Sequence, residues 1–184
     1  MAEIFTQRSL HTHKTPCITL TGMPGAGKST VGLALAQLLG WSLVDTDHLI
    51  EAVYGVPLQA VTDALSKEAF LDVEAQVVQS VRMFRTVLAT GGSVVYRDAA
   101  MRHLRSLGPV VYLDVSLPVI EERIARKPDR GLAIGPGQSI QDIFEERQAL
   151  YVRYAQCRIE ADLLPPAACA HAIVDMLRKK RLFL

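Results

Sequence analysis

Gly22-Met23-Pro24-Gly25-Ala26-Gly27-Lys28-Ser29-Thr30 decides how this 184-residue chain folds. It stands between a short β-type run, Cys17-Ile18-Thr19-Leu20-Thr21, and an apolar-periodic run through Val31, Leu35, Leu38 and Leu39. Strand, glycine-rich loop and helix in that order are the setting of a phosphate-binding loop, or P-loop. Glycine at 22, 25 and 27 lets backbone N–H groups curl around phosphate oxygens that a Cβ would hold off. The helix that follows points the positive end of its dipole at the same anion. Lys28 reaches the β- and γ-phosphates as a point charge, and the Ser29 hydroxyl is placed to hold Mg²⁺. Gly22, Gly25, Ala26, Gly27, Lys28, Ser29 and Thr30 are therefore the expected triphosphate cradle.

The remaining composition narrows the class. At 49% hydrophobic residues and mean hydropathy +0.19, one compact α/β domain with a substantial core is expected. A formal charge of +1 offers no global attraction to nucleic acid or to a membrane surface. No apolar run approaches the ~20 residues that span a bilayer. Residues 1–14 lack the apolar stretch of a secretory signal and read as a flexible tail before a single domain over 15–184. The three cysteines, Cys17, Cys157 and Cys169, have no metal-ligand spacing and behave as small buried hydrophobes, which suits a reducing cytoplasm.

Strand-type runs occur at 17–21, 42–45, 86–90, 109–114 and 157–161. Helical periodicity fills 28–39, 46–54, 57–65, 67–82, 98–107, 117–127, 139–155 and 166–179. Ser116 before Pro118, and Ser139 with Asp142 three residues on, read as helix starts. Such alternation implies right-handed crossovers and a parallel sheet covered on both faces, with ligands beyond the carboxyl ends of the strands. Residues 127–138 carry two prolines and three glycines and are too long for an ordinary connector, so they read as a lid.

Just after the second strand come Asp45-Thr46-Asp47. Two carboxylates beside the P-loop can divide the work, Asp45 holding the hydration shell of Mg²⁺ and Asp47 accepting the proton of an acceptor hydroxyl. The competing reading makes Asp47 merely the N-cap of the next helix.

Taken together, Lys28-Ser29-Thr30, Val44-Asp45-Thr46-Asp47, Thr90-Gly91-Gly92, Arg130 and Arg147-Gln148-Ala149-Leu150-Tyr151 resemble shikimate kinase in order and spacing, over about 17–176. The resemblance implies a P-loop NTPase three-layer αβα sandwich with a five-stranded parallel sheet. It implies that MgATP donates its γ-phosphate to a hydroxyl of a small carboxylate-bearing metabolite of amino-acid biosynthesis. By the same likeness, Asp47 grips and deprotonates that hydroxyl, and Gly91 and Gly92 let backbone approach the substrate. Arg130 closes over the phosphates, Arg147 binds the substrate carboxylate and Arg123 lies against the adenine. The chain is expected to work as a monomer.

Two positions depart from the family. Its Phe-Arg-x-x-Glu, in which the arginine helps clamp the carboxylate, is here Phe70-Leu71-Asp72-Val73-Glu74, and the third glycine of its triplet is Ser93. At 100° per residue, Glu74 falls inside an apolar stripe of Phe70, Val73, Val77 and Val81, while Asp72 faces away and is expected to be solvated. Arg147 falls inside the stripe of Ile140, Ile143, Phe144, Leu150 and Tyr151. Buried charges need partners. Either Arg147 and Glu74 pair with each other, or both face the pocket with Leu71. The second arrangement suits a zwitterion, so the expected acceptor is a hydroxy-amino acid such as homoserine, with shikimate as the alternative and a sugar acid such as gluconate third.

Other classes fit less well. A non-catalytic ATP-binding regulator has no use for the aspartate pair or Arg130. A GTPase-type switch would carry an Asn-Lys-x-Asp segment, which the sequence lacks. A nucleic-acid kinase would show a basic stripe interleaved with aromatics.

Overall fold

The computed structural model describes residues 16–126 and 137–182. Five strands form one wholly parallel sheet: β1 (Ile18–Thr21), β2 (Ser42–Asp45), β3 (Thr86–Ala89), β4 (Val110–Asp114) and β5 (Cys157–Glu160), in the spatial order β2-β3-β1-β4-β5. Between and after them run α1 (Lys28–Leu39), α2 (Thr46–Tyr54), α3 (Leu58–Ala64), α4 (Lys67–Ser80), α5 (Asp98–Leu107), α6 (Leu117–Ala125), α7 (Ile140–Tyr154) and α8 (Pro166–Lys179). The sheet and crossovers expected from the sequence are present, with strand ends within a residue of expectation.

Burial follows position in the sheet. The inner strands β1 and β3 are buried at every residue, whereas the edge strand β5 alternates buried and exposed. The first crossover runs outward from β1 to β2, and every later one runs the other way. Right-handed connections therefore send α1 to one face and the helices between β2 and β5 to the other. The chain's last helix returns to pack on α1, and α4 packs on α5. The connections leaving β1 and β3, neighbours in the sheet, thus diverge to opposite faces and open a crevice at the carboxyl ends of the strands.

Local chemistry sets the helix ends. Ser139 and Asp142 form a reciprocal capping box at α7, with Ser139 N–H donating to Asp142 Oδ2 at 2.8 Å and Asp142 N–H to Ser139 Oγ at 3.1 Å. The Ser66 hydroxyl accepts from Ala69 N–H at the start of α4. Ser116 occupies the N-cap position of α6 as expected, but its side chain makes no capping bond. All three cysteines are free and buried. No helix among the described residues is long and apolar enough to cross a membrane.

Gly32 sets the distance between α1 and the sheet. A Cβ there would stand 2.9 Å from Leu43 Cδ1, 3.5 Å from Leu20 Cδ1 and 3.6 Å from Val87 Cγ1, so the bare backbone lets the helix lie close on β1, β2 and β3. A glycine inside a helix costs about 1 kcal/mol relative to alanine, a cost offset here by that approach. Gly32→Val should lift α1 off the sheet, lower stability by roughly 1–3 kcal/mol and weaken triphosphate binding at the α1 N-terminus. Denaturant midpoints and nucleotide titration of the variant check this; an unchanged midpoint would refute the close-packing account.

Candidate active site

The loop from Gly22 to Gly27 curls because its backbone adopts conformations that side chains disfavour. Gly22 (φ +147°) approaches β4 so closely that a Cβ would lie 2.7 Å from Leu113 O. Gly27 (φ +91°) is the left-handed N-cap of α1. Lys28 then folds back over the loop, its Nζ donating to Gly22 O at 2.8 Å and Met23 O at 2.9 Å. A ring of main-chain amides with a buried ammonium above it is a site for an anion.

The second strand end docks onto that loop through one carboxylate. Asp45 Oδ2 accepts from the Ser29 hydroxyl at 2.7 Å, and Asp45 Oδ1 accepts from Asp47 N–H at 3.1 Å. The N-cap of α2 is therefore Asp45, not Asp47. The capping reading of Asp47 fails because the helix starts two residues earlier than that role requires, and the Asp47 carboxylate is left in the first turn of α2. Lys28, Ser29, Asp45 and Asp47 line one cavity of about 300 Å³ with Pro24, Gly25, Gly27, Thr30, Thr90 and Gly92. Ser29 Oγ and Asp45 form a hard oxygen set of the kind Mg²⁺ accepts alongside water and phosphate.

Two threonines pin the third strand end to the other two. The Thr90 hydroxyl donates to Leu20 O at 3.1 Å, and Thr46 Oγ1 accepts from Gly91 N–H at 3.1 Å. Gly91 is hemmed in by acids. Glu74 Oε1 abuts the place a Cβ would take, and Asp47 Oδ1 lies 2.8 Å from it, so only glycine fits between the two carboxyl groups. Glu74 is 1% exposed; its Oε2 accepts from Ser93 Oγ at 2.8 Å, and its Oε1 is buried with no hydrogen-bond partner among the described residues. Burial, then the neighbouring Asp47 charge, push the Glu74 carboxyl up to about 8, against the opposing pull of Ser93, Arg147 and Lys28. Near neutrality it therefore favours its protonated form.

Arg147 is 2% exposed, on the inward face of α7. Its Nε donates to the Tyr96 hydroxyl at 3.2 Å, its guanidinium carbon lies 5.1 Å from the centre of the Tyr96 ring, and its Nη1 reaches within 3.1 Å of the Cβ position of Gly92. Tyr151, one turn on, donates to Gly92 O at 2.7 Å. Among the described residues Arg147 and Glu74 make no direct salt bridge, but each lies within the other's electrostatic field. Leu71 is buried on the same helix as Glu74. None of Leu71, Glu74 and Arg147 is among the described lining residues of the cavity; Glu74 stands behind Gly91 and Arg147 beside Gly92. Asp72 is exposed as expected but not merely solvated: it accepts from Arg97 Nε at 2.7 Å, and Arg97 also pairs with Glu68. The periodicity placed Asp72 correctly but carried no trace of a partner 25 residues away.

On the far side of the P-loop, Arg123 Nη1 donates to Gly25 O at 3.1 Å. Arg123, Ile124, Ala161, Leu164, Pro166 and Cys169 line a second cavity of about 340 Å³ that meets the first at Gly25 and Gly27. An apolar cavity opening beside a phosphate cradle is a suitable seat for a nucleobase. Arg130, and the lid apart from Gly137 and Gln138, lie outside the described residues. Sequence reasoning passed over Thr46, Ser66, His48, Glu51, Tyr96 and Tyr151. His48 and Glu51, three and six residues past Asp45 on α2, line the first cavity and could have been found by extending the helical face from Asp47. Nothing in the sequence marks Tyr96.

The model of the shikimate kinase family matches residues 24–178. A shikimate kinase from Sulfurihydrogenibium sp. is 34% identical over 164 residues, spanning 89% of this chain and 98% of its own. One from Chromohalobacter salexigens is 36% identical over 170 residues, spanning 91% and 93%. Among solved structures, shikimate kinase from Acinetobacter baumannii in complex with shikimate superposes with a TM-score of 0.83 at 30% identity, over 95% of this chain and 98% of that one.

The raised Glu74 pKa makes stability depend on pH. The folded chain keeps a proton on Glu74 that the unfolded chain releases near 4.5, so stability falls as pH rises from about 4.5 through about 8. Glu74→Gln, which keeps the shape without the titration, should flatten that part of the Tm–pH curve. Parallel curves for the two proteins would show that Glu74 ionises normally.

Proposed function

Because the chain belongs to the shikimate kinase family, we propose that it transfers the γ-phosphate of ATP to the 3-hydroxyl of shikimate in the cytoplasm. The observation that carries this reading is the convergence of three strand ends: the Lys28 cradle after β1, the Asp45–Asp47 pair after β2, and Thr90 and Gly92 after β3, within one cavity.

Each residue then has a role that follows from its place. Lys28, already donating to two loop carbonyls, exchanges one of them for a phosphate oxygen and moves with the charge of the transferred group. Ser29 and Asp45 would hold Mg²⁺, which when bound neutralises charge on the β- and γ-phosphates. Asp47, free of the capping role, orients the acceptor hydroxyl and takes its proton. Gly91 leaves room for the acceptor beside Asp47. Arg147 takes the acceptor carboxylate, and Arg130, outside the described residues, is assigned to the phosphates by the family's pattern. Arg123 is assigned to the base.

The hydroxy-amino acid expected from Leu71 and Glu74 is withdrawn. The relatives that span most of this chain are named shikimate kinases, and the Acinetobacter baumannii enzyme was solved with shikimate. The physical premise weakens as well. Binding an ammonium needs an ionised Glu74, whereas this carboxyl is buried, close to Asp47 and bonded to the Ser93 hydroxyl.

A coupled ADP-release assay with shikimate, homoserine, serine, threonine and gluconate tests the reading. Shikimate should give turnover well above the background ATPase rate; turnover with homoserine and none with shikimate would overturn it. Asp47→Asn should lower kcat by about 10²–10⁴-fold, the range for removing a positioned general base. A variant that kept most of its kcat would assign the proton elsewhere.

A further inference from the structure

The acceptor side of the site lacks the arginine that Leu71 replaces, yet a second cation reaches the same place from one turn earlier. Lys67 opens α4, and positions 67 and 71 share a helix face. A long side chain on a helix leans back toward the N-terminus, so an arginine at 71 would carry its charge over the turn where Lys67 begins. The Lys67 ammonium lies 5.5 Å from the centre of the Tyr96 ring, the ring against which the Arg147 guanidinium rests at 5.1 Å. Three elements, α4, the 3₁₀ turn Val94–Tyr96 and α7, thus bring two cations to one aromatic side chain.

Lys67 has no internal reason for its charge. Among the described residues its partners are neutral: the Tyr96 ring and Gln138 Oε1, which accepts from Nζ at 3.0 Å. Among the described residues it forms no salt bridge, and the acids nearby in sequence, Glu68 and Asp72, are engaged by Arg97. It also stands in the first turn of α4, where the helix dipole disfavours a cation. Glu146 reaches the Tyr96 hydroxyl from α7, but it is exposed to solvent and forms no salt bridge with Lys67 among the described residues. An anion placed between Lys67 and Arg147 would satisfy both cations and gain the dipole of α4.

We propose that Lys67 is a specificity-determining residue of this chain, supplying the second positive charge to the acceptor carboxylate in place of the arginine lost at position 71. On binding, the ammonium leaves the Gln138 amide oxygen for a carboxylate oxygen, while Arg147 holds the other. Tyr96 acts as a positioning residue, keeping the two cations at the separation a single carboxylate can bridge. The inference rests on the reading of shikimate as acceptor and adds the group that recognises its carboxylate.

Steady-state kinetics of Lys67→Met test it. One charge-assisted hydrogen bond to a carboxylate is worth about 1.5–3 kcal/mol, so KM for shikimate should rise roughly tenfold to hundredfold. The values of kcat and of KM for ATP should change little, since Lys67 touches neither the phosphates nor the acceptor hydroxyl. Lys67→Arg should retain most of the affinity, and adding Leu71→Arg to Lys67→Met should restore it. Shikimate methyl ester, with no carboxylate charge, should bind wild type and Lys67→Met alike. If wild type phosphorylates shikimate and Lys67→Met leaves its KM unchanged, or weakens acid and ester equally, Lys67 has no part in carboxylate recognition. If wild type does not phosphorylate shikimate, the acceptor reading itself falls, and this inference with it.

Discussion

One carboxylate, Asp45, ties the site together. It accepts from Ser29 on the first turn of α1 and from the backbone of Asp47 on the first turn of α2. Two helix N-termini, from opposite faces of the sheet, are thereby held at a single strand end. Both helices leave unpaired N–H groups there, and both dipoles favour negative charge. The consequence is electrostatic as much as architectural. Asp45 neutralises part of that positive field, and Lys28 adds to it. A polyanion bound on the cradle then meets a fixed pattern of donors without rearrangement of the strands beneath.

The acceptor half is built on a different constraint, the crowding around Gly91. Two carboxyl groups and the Thr46 hydroxyl gather at that residue, and burial first, then the Asp47 charge, keep Glu74 protonated near neutrality. Glu74 thus stands as a neutral wall bonded to Ser93, beside the Asp47 carboxyl that the proposed reaction uses as base. Ser93, which departs from the family's glycine, supplies the hydroxyl that this buried carboxyl bonds. The substitution is explained by what it touches.

Much of this was legible in the sequence. The strand and helix pattern was clear because β1, β3 and β4 are buried runs separated by amphipathic helices, and because the loop from Gly22 to Gly27 admits few other readings. The placement of Lys28, Ser29, Asp45 and Asp47 followed from strand-end geometry. What escaped was chemistry between distant residues. The cap of α2 hinged on a two-residue difference in where the helix starts. The Asp72–Arg97 bond joins segments that periodicity treats separately. The acceptor was misread because helical wheels place Glu74 and Arg147 inward but say nothing of protonation or of the Tyr96 ring beneath Arg147. Lys67 was invisible for the same reason: an exposed-looking lysine at a helix start carries no signal until its neighbour across the fold is known.

Cradle and acceptor pocket meet at Asp47, and a crystal structure with Mg²⁺, ADP and shikimate is the sharpest test of that meeting. The account predicts the diphosphate on the Gly22–Ser29 loop, one ring hydroxyl within about 2.6–3.2 Å of Asp47, and the carboxylate turned toward Arg147. Shikimate bound with its carboxylate at Asp47's end of the cavity, or with no hydroxyl in reach of that residue, would contradict it.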